Sequence, residues 1–195
     1  MWYGGADVKL QMLAQQLLLA ANAFRIGLVA QVILPAFNSD PHGAFVNVPS
    51  ATQTVDGLAH VLDSFLRELA SSPEPSCTKM GRSVSLADNV VLMVSGDTPK
   101  NPYERSGWPD GFQANVNWVY VQSNSYIRAG WFGKVLPTSA IYFDPATGSD
   151  NAAASYDDVT SASLAAVLYA VTRGDKLAVG TYFSGPYQGL ILPAP

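Results

Sequence analysis

The sequence predicts an α/β domain in which a mostly parallel central sheet is flanked by helices. Two short apolar runs, residues 28–34 (LVAQVIL) and 89–95 (NVVLMVS), are separated by a helix-length amphipathic segment. Strands that are buried on both faces have such nearly continuous apolar runs. A strand–helix–strand unit is most simply a right-handed parallel crossover. The 195 residues fit a single domain over 1–195.

Two helices are expected in the first half of the chain. Residues 7–27 repeat apolar side chains at helical spacing, and Gly27 marks the end of the helix. Residues 51–71 have an apolar stripe and an opposite polar face. His60 lies on that polar face, four residues after Asp56, and is expected to be solvated with a weak partner there.

The second half of the chain changes character. Residues 96–150 form a region rich in glycine and aromatic residues, with strands expected at about 115–122 and 139–143. Thr160 is the expected N-cap of a last helix over about 161–173. Gly174 is its expected C′ residue, where a left-handed backbone conformation is common.

Composition restricts the classes of function. Hydrophobic residues make up 48% of the chain and charged residues 13%, against a usual quarter for charged residues. The chain should therefore bury much of itself, or it is part of something larger. Its net charge is −4 with scattered Lys and Arg, which disfavours nucleic-acid binding. The single cysteine, Cys77, allows no intrachain disulfide. No signal peptide or membrane-spanning segment is predicted.

A metal site is one hypothesis for the loops after the apolar runs. Asp40 and His42 lie in the stretch AFNSDPHGAF, and Asp97 follows the second run. If the crossover is parallel, both loops leave the sheet at one edge, where ligands bind. Carboxylate and imidazole ligands suit zinc or another divalent ion, which could polarise an ester or activate water. The alternative is that Asp40 and Pro41 only shape a turn.

A set of aromatic residues supports a second hypothesis. With nearby asparagines they could stack on sugar rings and bond to hydroxyl groups. The alternative is that they pack a loop-rich layer over the sheet, because aromatic side chains bury large areas. The set is Trp108, Trp118, Tyr120, Tyr126, Trp131 and Phe132. No G-x-S-x-G elbow and no phosphate-binding glycine loop is present.

Several stretches, taken in order, carry a family resemblance. They are FNSDPHGAF, TVDGLAHVLDSFLREL, LADNVVLMVSGDTPKN, GWPDG, GWFGKV and YDDVTSASLAAVLYAV. Their order resembles the carboxyl-terminal portion of the bacterial domain-of-unknown-function 1501 family, within the alkaline phosphatase and sulfatase superfamily. The resemblance covers most of the chain as a pattern of stretches.

The resemblance implies an alkaline-phosphatase-like α/β sandwich with metals at the carboxyl edge of its sheet. By position, Asp40 and His42 would be metal ligands, Asp97 stands near an acidic position, and Asp110 matches the acid of a later Asp-His pair. Gly111 stands where that pair has its histidine, and VSGDTPKN replaces the usual Ser-Glu-Phe-Gly-Arg. The implied cofactor is a divalent metal, most simply zinc.

The resemblance also implies that an amino-terminal part with the nucleophile is missing. The first functional hypothesis is therefore the carboxyl-terminal part of a metal-dependent phosphate- or sulfate-ester hydrolase-like protein, inactive as this chain alone. Its full-length relatives would be exported through a twin-arginine signal. The second hypothesis is a non-catalytic exported binding or structural module for a glycan or a protein partner. Partners would be the missing half or further copies, which would cover an exposed apolar face or sheet edge.

Overall fold

The computed structural model describes residues 8–35, 48–74, 84–95, 119–123, 126–136 and 140–194. Within these ranges the chain is a mixture of helices and small sheets, so the broad α/β class is confirmed. It divides into two compact units, Met1–Asn89 and Val90–Pro195. The elements are α1 (Val8–Arg25), α2 (Val48–Ser71), a 3₁₀ helix (Leu86–Asp88), β1 (Leu92–Ser95), β2 (Val119–Gln122), β3 (Lys134–Val135), β4 (Ala140–Phe143), β5 (Asp150–Asn151), α3 (Tyr156–Val171), α4 (Lys176–Gly180) and a second 3₁₀ helix (Gln188–Leu190).

The strands of the described ranges pair only in antiparallel fashion. β1 pairs with β2, so that Met93 lies opposite Val121. The order β3-β4-β5 forms a second sheet of three short strands. Of the expected strands, the one at 89–95 is shortened to β1, and the described residues of those near 115–122 and 139–143 form β2 and β4. No parallel pair occurs among the described strands.

The first unit is built on α1 and α2. α1 buries Leu10, Leu13 and Leu17, and α2 buries Val61, Phe65 and Leu69. The chain beyond α2 is tied back by backbone bonds, from the Leu86 amide to the Ser72 carbonyl (2.9 Å) and from the Glu74 amide to the Val84 carbonyl (2.9 Å). Burial of apolar stripes, rather than helix propensity, stabilises this unit.

α1 ends where the sequence predicts. Gly27 adopts φ 69°. Its amide donates to the Phe24 carbonyl (2.9 Å), and the Leu28 amide donates to the Ala23 carbonyl (2.9 Å). These two bonds define a Schellman motif with Gly27 at C′, a position that favours glycine because it has no Cβ.

The prediction of a strand at residues 28–34 is wrong. This segment is irregular and mostly exposed, and Ile33 is 84% accessible. Its β-branched residues favour a strand only where a neighbouring strand and a packed face are available. None of the described residues pairs with it, so local composition alone did not decide its structure.

The last long helix begins earlier than expected. Ser155 is the N-cap of α3, and its Oγ accepts a bond from the Asp158 amide (3.1 Å) and donates to the Asp158 carboxylate (2.6 Å). Thr160, the expected cap, lies inside the helix. Ser155 satisfies a backbone amide of the first turn, and Asp157 and Asp158 in that turn interact favourably with the helix dipole, so the helix begins before Thr160.

The end of α3 also differs from the expectation. The Gly174 amide donates to the Tyr169 carbonyl (2.8 Å), and the Arg173 amide donates to the Ala170 carbonyl (3.1 Å). This pattern places Arg173, not Gly174, at C′ of a Schellman motif. Arg173 adopts φ 56° and Gly174 φ 87°. A Cβ on Gly174 would lie 2.5 Å from the Ala194 Cβ, so glycine is required at position 174, although this residue is C″ and not the expected C′.

The second unit has a core formed by α3 and the chain around it. α3 presents small side chains, Ala162, Ala165 and Ala166, and then the fully buried Tyr169. The Tyr169 ring lies 6.2 Å from that of Tyr126 and 6.3 Å from that of Tyr187. Its hydroxyl donates to the Leu192 carbonyl (3.0 Å). The alanines allow close approach of the chain, and the tyrosines fill the remaining volume.

Candidate functional site

A cavity of about 170 Å³ lies in the second unit between α3, β2, β4 and the segment 127–134. We call it the aromatic groove. Its described lining combines aromatic rings, aliphatic side chains, two cations and hydroxyl groups. The lining residues are Val119, Val121, Ile127, Arg128, Gly130, Trp131, Phe132, Lys134, Ile141, Tyr142, Phe143, Tyr156, Val159, Thr160, Ser163, Ala166 and Leu190.

A turn between two glycines gives the groove one wall. Gly133 adopts φ 75°, and a Cβ there would lie 2.6 Å from the Ile141 carbonyl oxygen. Only glycine therefore lets the turn approach β4 this closely. The two residues before it differ in burial: Phe132 packs against Phe143 with ring centroids 5.7 Å apart, and Trp131 is 81% exposed. The turn thus packs the Phe132 ring against the core and leaves the Trp131 ring exposed at the groove.

Arg128 connects this wall to distant parts of the second unit. Its Nη1 donates to the Gly189 carbonyl (2.6 Å) and to the Thr147 carbonyl (3.1 Å). Its guanidinium carbon lies 5.9 Å from the centroid of the Phe132 ring, within the range of a cation–π contact. The planar guanidinium can make these contacts together because its donors point in fixed directions.

A second cation on the groove is paired. The Lys134 Nζ lies 2.7 Å from the Asp150 Oδ2, and both side chains are about half exposed. An ion pair this exposed contributes little to stability, about 0–1 kcal/mol. For the groove, the ion pair links the Lys134 side chain on β3 to Asp150 on β5.

The opposite wall carries two tyrosines and the hydroxyl groups of α3. The rings of Tyr142 and Tyr156 lie 6.5 Å apart at 59°. Burial raises the pKa of Tyr142, with a smaller contribution from Tyr156. A tyrosine phenol is protonated at neutral pH even at its ordinary pKa of about 10, so this hydroxyl can donate a hydrogen bond. Thr160 lines the groove one turn along α3, and the Ser163 hydroxyl donates to the Val159 carbonyl (2.7 Å).

The residues of the metal hypothesis lie outside the described ranges. This holds for Asp40, His42, Asp97 and Asp110, so the zinc site stays a prediction. Within the described ranges, no group of three or more His, Cys, Asp or Glu side chains could hold a metal ion. His60 lies on the exposed face of α2, as expected.

The aromatic set divides between its two interpretations. Tyr126 and Phe132 pack on the core of the second unit, as the packing alternative predicts. Tyr120 and Trp131 are exposed, as a binding surface requires. Trp108 and Trp118 lie outside the described ranges.

Sequence reasoning missed Tyr142 and Tyr156 as members of the site. A signal for the second was present, because Val159 and Thr160 lie three and four residues after Tyr156, and Ser163 lies four and three residues after them. Residues at these spacings share one face of a helix. The earlier start of the helix, at Tyr156, was needed to recognise that face. Tyr142 could be placed only after the pairing of β4 was known.

Comparisons with protein-family models, with curated proteins and with solved structures find no match to this chain. Over the described residues, none of the helices has the length and apolar character needed to cross a membrane.

Proposed function

We propose that this chain is a binding module whose aromatic groove holds one ring of a saccharide. The observation that carries the proposal is the 81% exposure of Trp131 on a groove that also contains Tyr142 and Tyr156. A sugar ring has apolar C–H faces and an equatorial rim of hydroxyl groups. Indole and phenol rings suit the faces because they combine a large apolar area with little flexibility.

The polar groups of the groove suit the rim of such a ligand. The hydroxyl groups of Thr160 and Tyr142 can each donate and accept hydrogen bonds beside the rings. Binding sites commonly combine a mainly apolar lining with a few polar groups that fix orientation. The combination of aromatic rings and hydroxyl groups in the lining supports a ligand that has apolar faces and a rim of hydroxyl groups.

The size of the groove limits how much of the ligand it can hold. Its volume of about 170 Å³ is below the roughly 300–1,000 Å³ of pockets that enclose drug-sized molecules. It therefore suits one ring-sized group, and further residues of an oligosaccharide would extend past Trp131. Lys134 is paired with Asp150, so Arg128 is the cation of the lining that favours a sugar carrying a carboxylate.

Isothermal titration calorimetry with neutral and uronate-containing oligosaccharides tests this proposal. In the Trp131→Ala variant we expect the Kd to rise about tenfold or more, because a stacked ring contributes about 0.5–1.5 kcal/mol beyond its buried area and tenfold is about 1.4 kcal/mol. Trp131→Phe should retain most of the affinity.

The matched control is Tyr182→Ala. Tyr182 is also an aromatic residue with 81% exposure, but it is not part of the groove lining. Its replacement should leave the Kd unchanged. If no oligosaccharide binds, or if the Trp131 and Tyr182 variants bind equally, the groove does not have this function.

The metal-dependent ester hydrolase, with its mostly parallel sheet, is retained as a second proposal. Its support is the ordered resemblance of FNSDPHGAF, GWPDG and the neighbouring stretches to the family named above. In that protein Asp40 and His42 would bind zinc, with Asp97 and Asp110 nearby.

A further inference from the structure

α1 has two apolar faces, whereas α2 has one. The first face of α1 packs in the first unit through Leu10, Leu13, Ala14, Leu17, Ala20 and Ala21. A second row along the helix carries exposed apolar side chains, among them Leu19 at 71%. We call this row the outer stripe of α1, and it consists of Val8, Met12, Gln15, Leu19, Asn22 and Ile26. On the described part of α2, the exposed positions are mostly polar or small, and Val55 is the large hydrophobic residue among them.

The spacing of the outer stripe is that of a coiled-coil seam. Its members follow one another at intervals of four, three, four, three and four residues. A stripe with a mean period of 3.5 residues faces a partner helix along its whole length. With Met12, Leu19 and Ile26 at a positions, the buried residues of α1 fall at b, c and f, on the other side of the helix. The outer stripe is therefore unused by the packing of α1 on α2.

We propose that the outer stripe pairs with the same stripe of a second copy of this chain, as a parallel two-stranded coiled coil. In this register each residue meets its own counterpart. Gln15 then faces Gln15 and Asn22 faces Asn22, and an amide can both donate to and accept from another amide. A wholly apolar partner would offer neither amide such a partner, which costs most for Gln15, because Asn22 already donates to the Leu18 carbonyl (3.0 Å) and accepts from Arg25 (2.8 Å).

The antiparallel register is less suitable for the same residues. In the arrangement that overlaps the full stripe, Gln15 would face Leu19, and Asn22 would face Met12. Each polar side chain would then meet an apolar one. Buried polar residues at the seam are known to select register and orientation in coiled coils, and here they select the parallel form.

The charges of α1 agree with self-association. Lys9 and Arg25 are the only charged residues of this helix, and neither belongs to the outer stripe. Arg25 Nη2 donates to the Asn22 Oδ1 (2.8 Å), so the guanidinium lies at the flank of the seam. Two identical stripes can therefore meet without like charges directly opposite each other at their centre.

Analytical ultracentrifugation of the full chain over a range of concentrations tests the proposal, and we expect a monomer–dimer equilibrium. Leu19→Glu should raise the dimer Kd at least about a hundredfold, roughly 2.8 kcal/mol, because it places two carboxylates face to face in the seam. Met12→Glu gives the same readout from a second position. Both residues are exposed in one chain, so each variant should keep its helical circular dichroism.

The control is Val55→Glu, which alters an apolar residue of similar exposure, 63%, on α2 and should leave the dimer unchanged. In a Cys77→Ser background, Ile26→Cys should form a disulfide with its own counterpart only in the parallel register, because Ile26 faces Val8 in the antiparallel one. A wild-type chain that is monomeric throughout, or dimers that persist in both Glu variants, would overturn the proposal. A dimer in which the Ile26→Cys variant fails to cross-link would overturn the parallel register.

Discussion

Glycine at position 173 should stabilise the second unit relative to alanine at the same position. Arg173 occupies C′ of the Schellman motif at φ 56°. A residue with a Cβ in this left-handed region brings the Cβ close to the following carbonyl oxygen, and only glycine escapes this contact. Arg173 is exposed, so removing its side chain should leave the core unaltered.

The magnitude follows from two opposing contributions. Relief of the left-handed conformation contributes about 1–2 kcal/mol. The greater freedom of glycine in the unfolded chain costs about 0.4–1 kcal/mol. At the midpoints of these ranges, glycine is favoured over alanine at position 173 by about 0.8 kcal/mol, a difference in Tm of roughly 3–6 °C for a unit of this size. Relative to arginine, loss of the charge offsets about 0.3–1 kcal/mol of this gain.

Chemical and thermal denaturation followed by circular dichroism measures this difference. The comparison variant is Arg173→Ala, which loses the same charge near the helix C-terminus, an effect of about 0.3–1 kcal/mol, but keeps the Cβ. The free energy of unfolding of Arg173→Gly should therefore exceed that of Arg173→Ala by about 0.5–1 kcal/mol. Equal values for the two variants would refute the reasoning, because backbone strain would then contribute nothing.

Two further predictions concern the core and the metal hypothesis. Tyr169→Phe should lower the free energy of unfolding by about 1–2 kcal/mol, because the Leu192 carbonyl loses its donor. The control, Tyr182→Phe, alters an exposed tyrosine and should change the free energy of unfolding by less than about 0.5 kcal/mol. Equal losses of stability in the two variants would contradict this prediction. The purified chain should bind zinc, and the double variant Asp40→Ala, His42→Ala should lose it. Equal zinc content in elemental analysis of the two proteins would remove the metal site.

The helices could be predicted from the sequence because their signals are local. α1 ends at Gly27 as expected, and α2 follows its stripe of Phe65 and Leu69. Apolar spacing of three and four residues is a property of the helix itself. The ends of α3 were misplaced because two candidates competed at each end: Ser155 with Thr160, and Arg173 with Gly174.

The strands depended on partners that the local sequence does not contain. Residues 28–34 have strand composition but no partner among the described residues, whereas β3 is formed by only Lys134–Val135 because β4 lies beside it. β propensity reflects packing against neighbouring strands more than an intrinsic preference of the backbone. Composition alone therefore predicted a strand in the wrong place.

The aromatic groove was partly accessible from the sequence. The stretch GWFGK contains Trp131 and Phe132, which the sequence indicates as candidate binding residues. That Phe132 packs on the core while Trp131 is exposed follows from the close approach of Gly133 to β4. The Arg128 bond to the Gly189 carbonyl joins residues 61 positions apart. A contact between residues so far apart in sequence depends on the folded path of the chain, and no local sequence pattern predicts it.

The irregular segment that follows α1 makes the first unit sensitive to proteolysis. Residues 28–35 present Leu28 and Ile33 to solvent in a stretch without helix or strand, and exposed segments of this kind are where proteases cut first. A single cut there would separate α1 from α2. α2 would lose the helix that it contacts in the first unit, and the outer stripe would leave with the fragment. Cleavage of one short segment could thus unfold the first unit and end self-association in one irreversible step.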